Sequence, residues 1–197
     1  MQPIQRGEVL GLADYEFIRT RFRARVVDEK RHRRVALGPH LSAVFENRDT
    51  VLLQIQEMLR TERITSADGV AHEIATYNEL VPGDGELSVT LFVEIPDRDE
   101  RERALRDLAG LEERLHVEVA GERLPLRGPV RNDLAAERTT AVHYLKAKLP
   151  AGLAKALSAT PPCPLALVVD HPRYQARGEC SQALAAALGR ELADHTS

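Results

Sequence analysis

Across the first eighty residues, apolar side chains recur every three or four positions. Leu12, Tyr15, Ile18, Phe22 and Val26 gather on one arc at 100° per residue, and so do Val51, Leu52, Ile55, Met58 and Leu59, and again Val70, Ile74 and Tyr77. The spacing predicts three amphipathic helices, with Asp14 as N-cap of the first and Asp49 as cap of the second. Between them, "GPHLSAVFENRDTV" reads as a short strand, with Glu46 and Asn47 in the turn that starts the second helix.

At "VPGDGE" the pattern changes, because Pro82, Gly83, Asp84 and Gly85 form a turn cluster. Beyond it, "ELSVTLFVEIP" is a strand, "DRDERERALRDLAGL" a helix, "LHVEVAG" an alternating strand, "ERLPLRG" its return across Gly121, and "RNDLAAE" the start of a second helix. The order then repeats: "AVHYLKAKLP" ends in Leu-Pro as the first strand ended in Ile-Pro, "AGLAKALSA" is helical, and "LALVVDHPRYQARG" is strand, turn and strand. Each copy closes on Arg-Gly, and Leu-Ala-Ala follows both times, at Leu134 to Ala136 and Leu184 to Ala186.

The expected fold is therefore α+β: an N-terminal helical layer over residues 1–82, then a duplicated β-α-β-β-α unit over 83–197, with copies at about 86–138 and 139–192. In series these units have the split βαβ character of ferredoxin-like folds. That predicts one compact domain built on a single mixed sheet with helices on one face.

Charge sharpens the picture of the first helix. Residues 19–34, "RTRFRARVVDEKRHRR", hold eight Lys/Arg and one His, although the chain has a formal net charge of −3. Arg21, Arg25 and His32 fall opposite the apolar arc and form a solvated basic stripe suited to facing a partner. Arg19 falls inside the arc, and Arg23, Lys30 and Arg33 lie on or beside it. A guanidinium there must snorkel or find a carboxylate. Glu62 lands inside the second helix's arc and Glu73 flanks the third beside Leu80, whereas Gln54 and Glu57 are placed toward solvent. Three readings stay open: a buried ion network that fixes helix packing, an anion or small-molecule pocket with Arg19, Arg23 and Lys30 as its clamp beside Glu62 and Glu73, or a metal site of Glu62, Glu73 and His72. For the last, His72 directly precedes Glu73, so the two side chains point about 100° apart rather than together as an E-x-x-H pair would place them.

Composition closes off several classes. A pI of 6.2 and the absence of any nucleic-acid-reading motif argue against a nucleic-acid binder. No segment approaches about 18 uninterrupted apolar residues, and the start "MQPIQRGEVLGLADYE" has no apolar run like that of a signal peptide, so the expectation is a cytoplasmic protein without a membrane span. Cys163 and Cys180 lack any C-x-x-C partner, and the seven His show no H-x-x-x-H spacing, so no metal or cofactor is predicted. His171 is the best placed of the seven, since "LALVVDHPRY" sets it and Asp170 at the exit of an apolar strand. Which sheet faces His143 and Lys146 take depends on a register that spacing does not supply. Phosphate-binding and nucleophile-elbow motifs are absent.

Long stretches, above all "FENRDTVLLQIQEMLRTERI" and "YNELVPGDGELS", with "VVDHPRY" further on, resemble an uncharacterised bacterial family classed as a domain of unknown function. The resemblance spans nearly the whole chain and brings no functional residues with it. It implies genes encoded beside rubrerythrin-like proteins and iron–sulfur oxidoreductases of the heterodisulfide-reductase type. The expected function is thus a non-catalytic accessory or interaction protein in redox or oxidative-stress metabolism, with small-molecule or anion binding between helices and sheet as the alternative.

Overall fold

The computed structural model describes residues 1–128 and 137–193. Helix α1 (Leu12–His32) starts after an extended Gly11 with no side-chain cap, which leaves Asp14 in the first turn and not at the cap. It ends at Arg33, and the chain turns back at once as the hairpin β1 (Arg34–Leu37) and β2 (Leu41–Phe45). Helix α2 (Arg48–Thr61) is capped by Asn47, not Asp49: the Asn47 side chain accepts from the Thr50 N–H, and the Thr50 hydroxyl accepts from the Asn47 N–H at 2.9 Å. That reciprocal pair satisfies two otherwise orphaned donors, which Asp49 inside the first turn cannot do. Helix α3 (Ala67–Asn78) is capped by Ser66.

The remaining elements follow in the expected order: β3 (Glu86–Val93), α4 (Arg98–Asp107), β4 (Leu115–Val119), β5 (Glu122–Pro125), β6 (Val142–Lys148), α5 (Ala151–Leu157), β7 (Leu165–His171), β8 (Tyr174–Glu179) and α6 (Gln182–Ala193). Gly121 and Ala120 both take positive φ in the β4–β5 turn, the backbone a two-residue hairpin of this hand requires. The order β-α-β-β thus recurs, and corresponding strands pair with each other, β3 with β6 and β4 with β7. The helix expected from "RNDLAAE", including Leu134 to Ala136, lies outside the described residues.

The α+β class holds, but the single mixed sheet does not. The strands form two antiparallel four-stranded sheets, ordered β1-β2-β3-β6 and β5-β4-β7-β8. The reason lies in the alternation. Strand β3 turns Leu87, Val89, Leu91 and Val93 to one side and Ser88 and Thr90 to the other, while β4 buries Leu115, Val117 and Val119. Strands with one apolar face suit two sheets laid face to face, whereas crossover-linked parallel strands need both faces apolar. One shared core joins Phe45, Leu91 and Leu145 of the first sheet to Val117, Leu167 and Val169 of the second, with Leu105 of α4, Leu157 of α5, and Leu184 and Leu188 of α6. Strand β8 approaches β1 so closely that a Cβ on Gly178 would lie 2.5 Å from Val35 Cγ1 and nearer still to the Ala36 carbonyl oxygen.

Helices α2 and α3 form a second apolar cluster with Ile4 and Val9, centred on Val51, Ile55, Leu59, Val70 and Ile74. Where this layer meets the first sheet the contact is polar, through buried Ser88, Thr90 and Glu46.

Candidate functional site

The long basic helix buries little of itself. Of its 21 residues only Tyr15 and Val26 are buried, while Leu12 and Phe22 are half-covered. Ile18, expected inside, is 38% exposed, and Phe17 is 92% exposed. Phe17, Arg21 and Ala24 follow one another at helical spacing and share the outer face with Asp28. Arg25 pairs with Asp49 at 2.6 Å and lies over the Phe22 ring, its guanidinium carbon 5.3 Å from the ring centroid. His32 is exposed and 4.0 Å from Asp28. Arg21 and Arg23 are exposed and Lys30 half-exposed, and none of the three makes an ion pair among the described residues.

Arg19 does turn inward, but its partner is Glu57. Its Nε and Nη2 each donate across 2.8 Å to the two carboxylate oxygens, and the Tyr15 hydroxyl donates to Oε1 at 2.6 Å. The Arg19 guanidinium holds the Glu57 carboxyl below its ordinary value. Burial, with the neighbouring carboxylate, pushes the Tyr15 phenol well above its own. A single apolar arc on α2 places Glu57 in solvent. The helix instead buries Thr50, Leu53 and Gln56 as well as Val51, Ile55 and Leu59, and α1 covers the side on which Glu57 lies. Glu62 is the exposed C-cap of α2, and Glu73 is half-buried on α3 with His72 exposed beside it. No hydrogen bond or ion pair links Arg19, Arg23 or Lys30 to Glu62 or Glu73. The clamp expected from these residues is therefore not assembled. Among the described residues, no group of three His, Cys, Asp or Glu is placed to hold a metal ion.

The buried cation of the helix is Arg33, 3% exposed. Its Nη1 and Nη2 donate to Glu191 of α6 at 2.6 and 2.8 Å, its Nε donates to the Phe45 carbonyl at 2.7 Å, and Nη2 reaches the Glu46 carbonyl at 3.3 Å. Asn47 donates to Glu29 beside it. The Glu46 side chain, 1% exposed, accepts from the hydroxyls of Thr90, at 2.6 Å, and Thr50, and from the Gln54 amide at 3.3 Å. This network ties the end of α1, the end of β2, the start of α2 and the end of α6 together. Its sequence signal is faint. Glu46 continues the outward register of Ser42 and Val44 on β2, a face that reads as solvent until the helices are laid over it.

His171 is buried and both ring nitrogens are engaged. Nδ1 accepts from the Arg173 N–H at 3.2 Å, so Nε2 carries the proton and donates to the Ala109 carbonyl at 3.0 Å. Through these two bonds it pins the β7–β8 turn. Asp170 is exposed, 3.9 Å from Arg123. His143 points into the core side of β6, near Thr139 and Glu112, and Lys146 takes the opposite face. Thr139 resembles a nucleophile beside a base, with its oxygen 3.0 Å from His143 Nε2, but it is 1% exposed and its one proton goes to Glu112. Both cysteines are free thiols and half-buried. No helix among the described residues is long and apolar enough to cross a membrane.

The chain is similar to a crystal structure described as a novel protein of unknown function from Burkholderia pseudomallei K96243, at 33% identity and a TM-score of 0.88, covering 97% of this chain and 100% of that one. No curated protein matches it. The model of a protein family of unknown function, DUF3501, matches residues 3–192, and the chain therefore belongs to the DUF3501 family.

Proposed function

We propose that the protein is a non-catalytic interaction protein of the cytoplasm, which docks an acidic partner on the outer face of α1. The observation that carries this is Phe17, almost wholly exposed on α1 just ahead of the most basic segment of the chain, with Arg21, Arg23 and Lys30 of that segment left without carboxylates among the described residues. An aromatic side chain held in water is a ready anchor for a pocket on another surface, and unpaired cations on the same helix, Arg21 nearest, steer an acidic face toward it. Most of the rest of the basic segment is already used. Arg19, Arg25, Arg33 and Arg34 pair with Glu57, Asp49, Glu191 and Glu94, and Arg31 lies 3.7 Å from Asp28. Of the charge left over, Arg21 shares the outer face of α1 with Phe17, and Arg23 and Lys30 lie on the flank beside the apolar arc. The partner class implied by the family resemblance is a rubrerythrin-like protein or an iron–sulfur oxidoreductase, and the docking role belongs to redox or oxidative-stress metabolism.

The test is a calorimetric titration of such a purified partner, encoded in the same host, into the whole chain at low and at physiological salt. Binding should weaken as salt rises. Phe17→Ala should weaken it by roughly 30-fold or more, the cost of truncating an aromatic anchor. Arg21→Glu should act mainly on the association rate and its salt dependence. Binding that neither substitution alters would place the interface elsewhere, and absence of binding to both partner classes would end the redox assignment.

A further inference from the structure

A second surface feature lies away from α1. Between α3 and the outer face of β6 runs a cleft of about 390 Å³, walled by Tyr77 and Leu80 on the helix side and Tyr144 on the strand side, with Ser88, Arg127 and Lys146 around it. Its size falls within the roughly 300–1,000 Å³ of small-molecule sites, and its walls are mostly apolar.

The polar groups there are donors with unspent capacity. Ser88 is 2% exposed, yet its hydroxyl has no hydrogen-bond partner among the described residues. The Tyr77 and Tyr144 hydroxyls have none either. Lys146 uses two of its three ammonium protons, on the Val81 carbonyl at 2.8 Å and on Glu86 at 3.3 Å, which leaves one. A phenol is protonated at neutral pH in any case, and burial raises both further above their ordinary values, so both stay donors. Ser88, Tyr77, Tyr144 and Lys146 thus line one space with hydroxyl and ammonium donors and two aromatic rings. The Glu79 carboxylate is exposed on the helix side of the same cleft, opposite in charge to Arg127 and Lys146.

We infer that this cleft is a binding site for a small planar aromatic compound that carries a carboxylate, the rings of Tyr77 and Tyr144 flanking its plane and Ser88, the phenols and Lys146 donating to its oxygens. Aromatic faces prefer offset or edge contacts with a flat ligand, and a carboxylate accepts several donors at once. The site uses none of the residues proposed to dock a partner.

The experiment uses 2-naphthoate as the probe, with saturation-transfer NMR and isothermal titration on the whole chain. Saturation transfer from the protein to the naphthoate ring is expected, and cyclohexanecarboxylate, which is not planar, should show little. Tyr144→Ala should weaken binding by about tenfold or more, and Tyr77→Phe with Tyr144→Phe, which keeps both rings and removes both hydroxyls, by several-fold. Phe17→Ala should leave it unchanged. Thermal melts establish that each variant folds, and the double phenylalanine variant keeps the question open to test where Tyr144→Ala does not. No transfer to 2-naphthoate, or equal affinity in folded wild type and folded variants, overturns the assignment.

Discussion

Arg33→Ala should destabilise the protein by roughly 3–5 kcal/mol, the range for breaking a buried ion pair from one side. Arg33 is 3% exposed and donates to three acceptors that lose their partner with it: the Glu191 carboxylate, the Phe45 carbonyl and, more weakly, the Glu46 carbonyl. A buried acceptor left unsatisfied costs about 1–3 kcal/mol, and more if charged. The Glu191 side chain is 23% exposed and recovers some water, which holds the total toward the lower end. Arg19→Ala provides the contrast. Arg19 makes an equally well-formed bidentate pair with Glu57, but both side chains are 28% exposed, so about 1–2 kcal/mol is expected there. Arg33→Lys should recover only part of the loss, because one ammonium cannot span the Glu191 carboxylate and the Phe45 carbonyl as a planar fork does. Urea unfolding followed by circular dichroism measures all three, compared at equal slope. A loss within about 0.5 kcal/mol for Arg33→Ala, or one no larger than for Arg19→Ala, would refute the reasoning that burial sets the difference.

Because Glu57 has its folded pKa held below the ordinary 4.5, its contribution is fully present above that value and fades as pH falls through the folded one; Glu57→Gln should therefore flatten the acid limb of a stability-against-pH curve and leave any loss at neutral pH constant. Gly178→Ala should cost about 1–3 kcal/mol, since the added methyl meets Val35 and the β1 backbone, and a melting temperature equal to wild type would show that β8 can withdraw. The Cys180 thiol is pushed up to about 12 by burial, so on a Cys163→Ser background it should react with a disulfide reagent near pH 8 far more slowly folded than in urea.

Much of the chain was legible from residue order. The helical periodicity of α1 to α3, the turn cluster at Pro82 to Gly85, and the described elements from β3 to α6 correspond to the structure, while the helix expected at "RNDLAAE" lies outside the described residues and the spacing does not show β1. Local signals carry these: alternation writes a strand, a 3.6-residue repeat writes a helix, and glycine at positive φ marks the turn at Gly121. Charges are less legible: helical spacing turns Arg19 inward but offers it Glu62 or Glu73 instead of Glu57, because a helix covered on two sides has no single apolar arc from which a solvent side can be subtracted. Spacing likewise offers His171 as a candidate site, since a buried histidine with both nitrogens engaged looks the same in sequence as one with a nitrogen free.

What the sequence by itself determined is most of the helices and strands and the alternation of a strand such as β4, because these depend on residues a few positions apart. Whether those strands make one sheet or two, and which polar groups meet, was decided only by the tertiary structure. Arg33 reaches Glu191 across 158 positions and Tyr174 reaches the Leu37 carbonyl across 137, while Tyr77 and Tyr144 meet at one cleft from separate elements. Hydrogen bonds and ion pairs act over a few ångströms in space and leave no period along the chain, so their partners become visible only once the backbone has brought them together.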